Sequence, residues 1–392
     1  MTDNPIRILA SAEAVPAIRR ELTRRGFIGV AVAAGGAAVL AACSPGGATS
    51  SAPAATGGAL ESSLSIYTWG DYDAPEVLTQ FTSEQGPTVE LSSFSSNEEM
   101  IAKLTGAKGT SGFDIVVPTG IYIPQMVQNG LLQKLNLDLI PNLTNLDPDF
   151  AGPAWDPGNE YSICKAWGTT GFVYDKTVIT RELTTWSDFL DAAQNEASGK
   201  TSMLDDAAEL TGVYFWANGI PWTTTDAGDL DAAEDYLVNT LAPHIEAFDS
   251  YLGGGAIQQA SHALMQAYNG DVRLALMESS EPDRWQWVLG APRTELWMDN
   301  WAIPTGAPHP EAAHAFINFT LDPEISLKEL DYIGYHTGVA NIEQAAADAG
   351  FELLDMVFFT PEQIATMDEG EVSDSLARIV DIYNKVKAAA GA

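Results

Sequence analysis

From Leu64 onward, short apolar runs alternate with amphipathic stretches of helical period, and this alternation confines the chain to α/β architecture. LSIYT at 64–68 reads as a strand, 74–85 as a helix closed by Gly86-Pro87, and TVELSS at 88–93 as the next strand. A helix at 97–104, a buried strand FDIVV at 113–117 and a short helix at 122–128 continue the series. Parallel strands of such units open ligand sites beyond their carboxyl ends, so the loops starting at Trp69 and Pro118 are expected to share one edge. Residues 136–160, rich in Asn, Asp and Pro, read as irregular, and WGTTGFVYD at 167–175 as a strand leaving the first half. A second α/β series follows, with a helix from Trp186, a strand at 201–204 and helices near Ala207, Leu230 and Ala256. RLALM at 273–277 and WQWVLG at 285–290 read as strands, and 310–321, 323–330 and 371–387 as helices. A chain of 392 residues exceeds one ordinary core, so two lobes are expected.

The charge balance narrows the partners. Against 19 basic residues stand 53 acidic ones, a net charge of -34. Such a surface repels phosphate backbones, which argues against nucleic acid, and attracts cations. The two cysteines, Cys43 and Cys164, cannot build a disulfide framework, and with scattered histidines they give no zinc pattern. His309 and His314 are five apart and face different sides of a helix, so no metal and no cofactor is expected.

The first 42 residues read as an export signal. Arg24-Arg25 stands directly before an apolar run rich in Ala and Gly, too short to span a bilayer, that ends in Leu40-Ala41-Ala42-Cys43. The arginine pair resembles the twin-arginine signal and positions 40–43 resemble a lipobox, which implies lipidation of Cys43. Residues 43–62, dominated by Ser, Gly, Ala and Pro, form a tether.

Four acid-plus-aromatic constellations stand out in the body. Trp69-Gly70-Asp71-Tyr72 follows the first strand and combines stacking faces with a carboxylate, although Gly-Asp is also ordinary turn chemistry. Asp206 and Glu209 lie three apart and share a face at a helix start, which fits either a capping box or a two-acceptor grip on an ammonium. In Glu295–Pro304, ELWMDNWAIP, Trp297 and Asp299 are two apart and so on one side of a strand. Tyr335 sits on a glycine turn. Catalytic signatures are poor, with neither Gly-x-Ser-x-Gly nor His-Glu-x-x-His present, and paired carboxylates alone leave an acidic surface hydrolase as a weaker alternative.

IYTWGDYDAP, SNEEMIAKL, FDIVVPTG, NLDPDF, LDDAAE, FWANGI, WMDNWAIP and IGYHTGVAN, in this order and spacing, resemble the spermidine/putrescine-binding proteins of polyamine ABC importers from Leu64 to the C-terminus. The resemblance implies a type II periplasmic-binding fold, two α/β lobes joined by crossing strands near Thr169 and Asp299 and closing over a ligand cleft. Lobe 1 would comprise 63–169 plus 299–345, and lobe 2 170–298 plus 346–392. It implies a monomeric, lipid-anchored binder on the outer face of the cytoplasmic membrane, passing a polyamine to a permease and ATPase on other chains without doing chemistry.

Residue by residue, Trp69 and Tyr72 would flank the polyamine, Asp206 and Glu209 would grip an ammonium, Trp297 would stack, Asp299 would hold another amine, and Tyr335 would close one side. Thr119 and Ser250 match hydroxyl positions, and Asp71 adds a carboxylate to the first loop. Four positions depart from the pattern. Ile121 replaces a pocket aromatic beside Tyr122, Glu278 replaces a pocket Trp, Ser373 replaces a glutamine, and Gly70 lacks an expected side chain. An added acid at Glu278 would favour a more cationic or guanidinium-like ligand, and the alternative within the same class is a binder of another small cationic solute, such as an opine or basic amino acid.

Overall fold

The computed structural model describes residues 55–250 and 255–391. The signal segment, the positions 40–43 and Cys43 lie outside the described residues, and so does most of the tether.

The strands are β1 (Ser63–Trp69), β2 (Thr88–Phe94), β3 (Ile115–Val116), β4 (Ser162–Asp175), β5 (Thr201–Met203), β6 (Ile245–Phe248), β7 (Leu264–Tyr268), β8 (Trp285–Val288), β9 (Thr294–Ala302) and β10 (Met367–Asp368). Between them lie α1 (Pro75–Gln85), α2 (Asn97–Ala107), α3 (Ile123–Gln128), α4 (Trp186–Gln194), α5 (Ala207–Asn218), α6 (Ala227–Tyr236), α7 (Asn269–Met277), α8 (Pro310–Thr320), α9 (Pro323–Ile333) and α10 (Leu376–Ala390), with single-turn helices in the connections. The strand order is β2-β1-β3-β9-β4-β7-β5-β6. β1 runs parallel to β2 and β3, and β5 parallel to β6 and β7.

One strand joins the halves. Residues 162–169 of β4 pair antiparallel with β9, whereas 170–174 pair antiparallel with β7 and 172–175 with β8. All fourteen residues of β4 are buried, as a strand covered on both sides demands. The hydrophobic core divides accordingly. One group gathers Leu64, Ile66, Phe81, Trp301, Phe316 and Leu330, and another gathers Phe172, Trp186, Phe189, Trp216, Leu237 and Ile382. Val357 and Met367, late in the chain, pack with the first group. Trp186 and Trp216 are almost fully buried and 5.2 Å apart by ring centroid, so truncating either to alanine costs ~3–5 kcal/mol.

The β-α-β reading of the first half is borne out, and the crossing strands stand where they were expected. RLALM at 273–277, expected as a strand, instead ends helix α7. In the helix, Val272, Ala275 and Leu276 are buried, and so is Arg273 of the same face and its neighbours. A helix buried on most sides shows no polar stripe, and its short apolar run is indistinguishable from a strand. The strand lies just before it at 264–268, where buried Gln266 interrupts the apolar run. The last helix begins at Leu376 rather than 371.

Candidate ligand-binding cleft

The carboxyl ends of the parallel strands converge on one cleft. β1 ends at Trp69, β3 is followed by Thr119, β5 by Asp205-Asp206, and Tyr268 closes β7. The crossing pair β4–β9 forms the floor, with Gly168 opposite Trp297 and Ala166 opposite Asp299.

Asp299 is held from the first half of the molecule. The Thr119 hydroxyl donates to Asp299 Oδ1 at 2.7 Å, and Asn97 Nδ2 donates to that hydroxyl at 3.0 Å, so the acceptor geometry is fixed two groups deep. Burial pushes the Asp299 carboxyl up to about 6, opposed by the Thr119 and Tyr72 hydroxyls and by Lys165. The Tyr72 hydroxyl is buried beside it but closes no hydrogen bond of full geometry. Tyr72 is placed by Lys165, whose ammonium donates to the Tyr72 carbonyl at 2.7 Å, lies 3.1 Å from Asp73 and 3.9 Å from Glu329, and sits 4.5 Å over the Tyr72 ring. A buried lysine with two carboxylates and a carbonyl is well supplied with acceptors, which locks the loop after β1.

Aromatic rings form the wall. Trp297 meets Tyr335 edge-on at 4.8 Å and Tyr268 at 6.0 Å, and Tyr335 meets Tyr72 at 6.3 Å. Trp69 packs edge-on against Phe94 at 4.5 Å. The indole N–H groups of Trp69 and Trp297 are buried without a partner. Tyr335 also reaches Asp271 in the first turn of α7, whose carboxyl burial raises to about 7.

The second half supplies further acids. Asp206 caps α5, its Oδ1 accepting from the Ala208 and Glu209 amides at 2.8 and 3.0 Å. The capping role seen in the sequence is therefore real. Asp206 keeps contact with solvent at the rim, yet burial raises its carboxyl, opposed by the Glu209 amide and reinforced by Glu98 across the cleft. Glu209 points inward and is 3% exposed. Its Oε1 accepts from the Thr170 hydroxyl at 2.9 Å and its Oε2 faces Gln266 Nε2 at 3.4 Å. The Glu295 carboxyl shares the Thr170 hydroxyl at 3.3 Å, and burial followed by Glu295 holds Glu209 well above the usual carboxylate range. Burial likewise pushes Glu295 up to about 7. From the first half, Tyr122 donates to Glu98 Oε1 at 2.7 Å and feels Asp206 and Glu295. The two halves thus face each other through acids.

Trp69, Tyr72, Thr119, Tyr122, Glu209, Trp297, Asp299 and Tyr335 are brought together, with Asp206 at the rim. Three expected residues stand apart. Asp71 is exposed on a turn with φ of 52°, the ordinary Gly-Asp turn chemistry, and its charge acts on Tyr332. Ser250 accepts from the Asp205 amide at 2.9 Å and steadies the loop that carries Asp206. Glu278 is exposed at the far end of α7, where Gln258 Nε2 faces it at 3.4 Å, so it adds no carboxylate to the cleft. An aromatic does stand just before the opposite end of the same helix, where Tyr268 meets Trp297. Sequence reasoning missed Tyr268, Glu98, Glu295 and Lys165. Glu295 was open to detection, because it alternates with Trp297 and Asp299 and so shares their face.

Comparison with known proteins agrees with this geometry. A family model described as bacterial extracellular solute-binding protein matches residues 76–352. A Haemophilus influenzae protein named spermidine/putrescine-binding periplasmic protein 1 is 30% identical over 366 residues, 93% of this chain and 99% of the relative. The Escherichia coli spermidine/putrescine-binding periplasmic protein is 34% identical over 278 residues, 70% of this chain and 77% of its own length. Among solved structures, a spermidine/putrescine ABC transporter substrate-binding protein from Streptococcus pneumoniae superposes with a TM-score of 0.72 at 29% identity, covering 84% of this chain and 100% of that one. A spermidine/putrescine transporter protein from Listeria monocytogenes gives 0.75 at 27%, covering 83% and 99%. The α/β fold with its crossing strands is the one those binding proteins share, and no described helix is long and apolar enough to cross a membrane. The chain belongs to the bacterial extracellular solute-binding proteins.

Proposed function

We propose that this chain is the solute-capturing subunit of an ABC importer and that its ligand is a linear polyamine of the spermidine or putrescine type. The observation that carries the reading is the line of buried acids, Glu209 and Glu295 at one end and Asp299 at the other, with the rings of Trp297, Tyr268, Tyr335 and Tyr72 between. A polyamine has the matching pattern, ammonium groups separated by methylenes. Its charges answer buried carboxylates that are costly to ionise alone, and its stem lies against aromatic faces. Names of the relatives on both the sequence and structure sides support the same ligand class.

In this reading the halves 63–169 with 299–345 and 170–298 with 346–392 close over the ligand about the β4–β9 crossing. The protein performs no chemistry on its cargo and passes it to a permease driven by an ATPase on other chains. Export by the twin-arginine segment, a lipid on Cys43 and a monomeric body on the outer face of the cytoplasmic membrane complete the proposal.

Intrinsic tryptophan fluorescence tests it, since Trp297 and Trp69 line the cleft. Spermidine and putrescine should change the emission saturably, and Trp297→Phe should abolish most of the change. A saturable response to glucose or to arginine, with none to either polyamine, would keep the fold and overturn the ligand.

A further inference from the structure

Glu209 on α5 and Glu295 on β9 are 3% and 8% exposed, and their carboxyl groups meet at one hydroxyl. The Thr170 hydroxyl lies between them, 2.9 Å from Glu209 Oε1 and 3.3 Å from Glu295 Oε2. A hydroxyl has one proton and satisfies one of the two. Gln266 Nε2 on β7 has two protons and donates to the Glu209 carbonyl at 3.0 Å and to Glu209 Oε2 at 3.4 Å, so its donors go to Glu209 and none to Glu295.

The remaining groups around the pair deepen the imbalance. Asp206 at the N-cap of α5, Asp299 on the same strand as Glu295 and Tyr268 at the end of β7 all face it. Tyr122, with Glu98 behind it, faces it from the opposite half. The groups acting most strongly on the two carboxyls include no cation. Two adjoining buried carboxylates do not both ionise without one.

Resting on the polyamine reading, we propose that Glu295 is a further specificity-determining residue, forming with Glu209 an acid pair that holds a proton in the empty cleft and exchanges it for a ligand ammonium. The exchange balances in charge: one R-NH3+ enters, one H+ leaves to solvent, and no covalent bond in the ligand changes. The incoming ammonium brings three donors where the proton offered one, so both carboxylates are satisfied at once. Burial, reinforced by Glu295 at Glu209 and by Asp206 and Asp299 at Glu295, holds Glu209 high and Glu295 at about 7, and this agrees with a retained proton at neutral pH. A neutral or anionic amino-acid end would leave the pair protonated and gain nothing from it. The cleft therefore prefers ligands with an ammonium at that end and no carboxylate beside it.

Calorimetric titration of the purified chain with spermidine at pH 7.5, in two buffers of different ionisation enthalpy, reads the number of protons released. At that pH Asp299, raised to about 6, contributes little, and the Glu295→Gln variant separates the pair from Asp271, raised to about 7 beside Tyr335. Wild type should release about one proton, and affinity should fall as pH is lowered, by up to about tenfold per unit. Glu295→Gln should cut the release by at least half and weaken spermidine about tenfold or more. The unligated Glu295→Gln variant should unfold no more easily than wild type at pH 7.5, because the substitution replaces an acid that is costly to bury with a neutral amide of the same shape. A carboxylate that was merely structural would show a lower unfolding temperature instead. Spermidine binding without buffer-dependent heat, or equal proton release by the variant, overturns the acid-pair inference alone. Failure of the wild type to bind any polyamine overturns the ligand reading and this inference with it.

Discussion

Asp299 concentrates the residue-scale argument, because Thr119 and Asn97 fix its carboxylate while Tyr72 and Trp297 bound the space in front of it. Replacing it with asparagine keeps the shape and removes the charge. Asp299→Asn is expected to weaken spermidine by roughly ten- to a hundredfold, the loss of one charge-assisted hydrogen bond. Asp71→Asn, on the exposed turn, should leave affinity within about twofold. Equal losses in the two titrations would remove Asp299 from the binding contacts. Gly168 gives a second test, since a Cβ there would lie 2.5 Å from the Trp297 ring and 2.6 Å from Asn269 Oδ1. Gly168→Ala should displace the indole, weaken spermidine and cost ~1–3 kcal/mol of stability by denaturant unfolding. Unchanged binding and stability would mean that the ring's position is not set there. At this scale Trp297, Asp299 and Tyr335 were legible as an acid among aromatics. Asp71 was not separable from Tyr72, because a turn residue and a pocket residue look alike until the backbone direction is known.

The elements decide which of those residues meet. β4 exchanges partners between Thr169 and Thr170, pairing with β9 before that point and β7 after it, and this handover brings Glu295 and Glu209 to one hydroxyl. The crossing was expected from the resemblance, together with a strand read over 167–175 of the full 162–175. The order of β7 and α7 was not, because α7 is buried on most sides and lacks the polar stripe by which a helix is recognised. That one misreading put Glu278 in the cleft and hid Tyr268. Lys165 on β4 shows how an element fixes a loop, tying Asp73, Glu329 and the Tyr72 carbonyl to one ammonium. Lys165→Met is expected to destabilise the fold by ~3–5 kcal/mol, since it strands buried acids, and to weaken spermidine through a loosened Tyr72. Chemical denaturation would check it, and a loss below about 1 kcal/mol would show that the acids neutralise themselves by protonation at little cost.

The whole molecule carries a pH signature. Burial raises Glu295, Asp271 and Glu329 to about 7 and Asp299 to about 6, against about 4 in the unfolded chain. The folded state then binds more protons than the unfolded one between those values, so stability falls as pH rises from about 4 through 7. Asp175 and Asp188 act in the opposite sense. Their carboxyls are lowered despite burial, by the Arg284 and Thr177 bonds and by the Thr184 and Thr185 bonds respectively, so stability is lost in strong acid as well. Maximal thermal stability of the unligated chain is expected at mildly acidic pH. Saturating spermidine should restore about 2.7 kcal/mol at a hundred times its dissociation constant, with the largest gain at neutral pH. A melting temperature that climbs steadily from pH 5 to 8 without ligand would contradict the buried-acid account.

The most direct measurement is a diffraction structure of the chain crystallised with spermidine. Density for an extended chain should lie along Trp297, one terminal nitrogen between Glu209 and Glu295 and another amine at Asp299. Spermidine seated only on the acidic outer surface, with the cleft empty, would contradict the claim that these buried acids are the cation site.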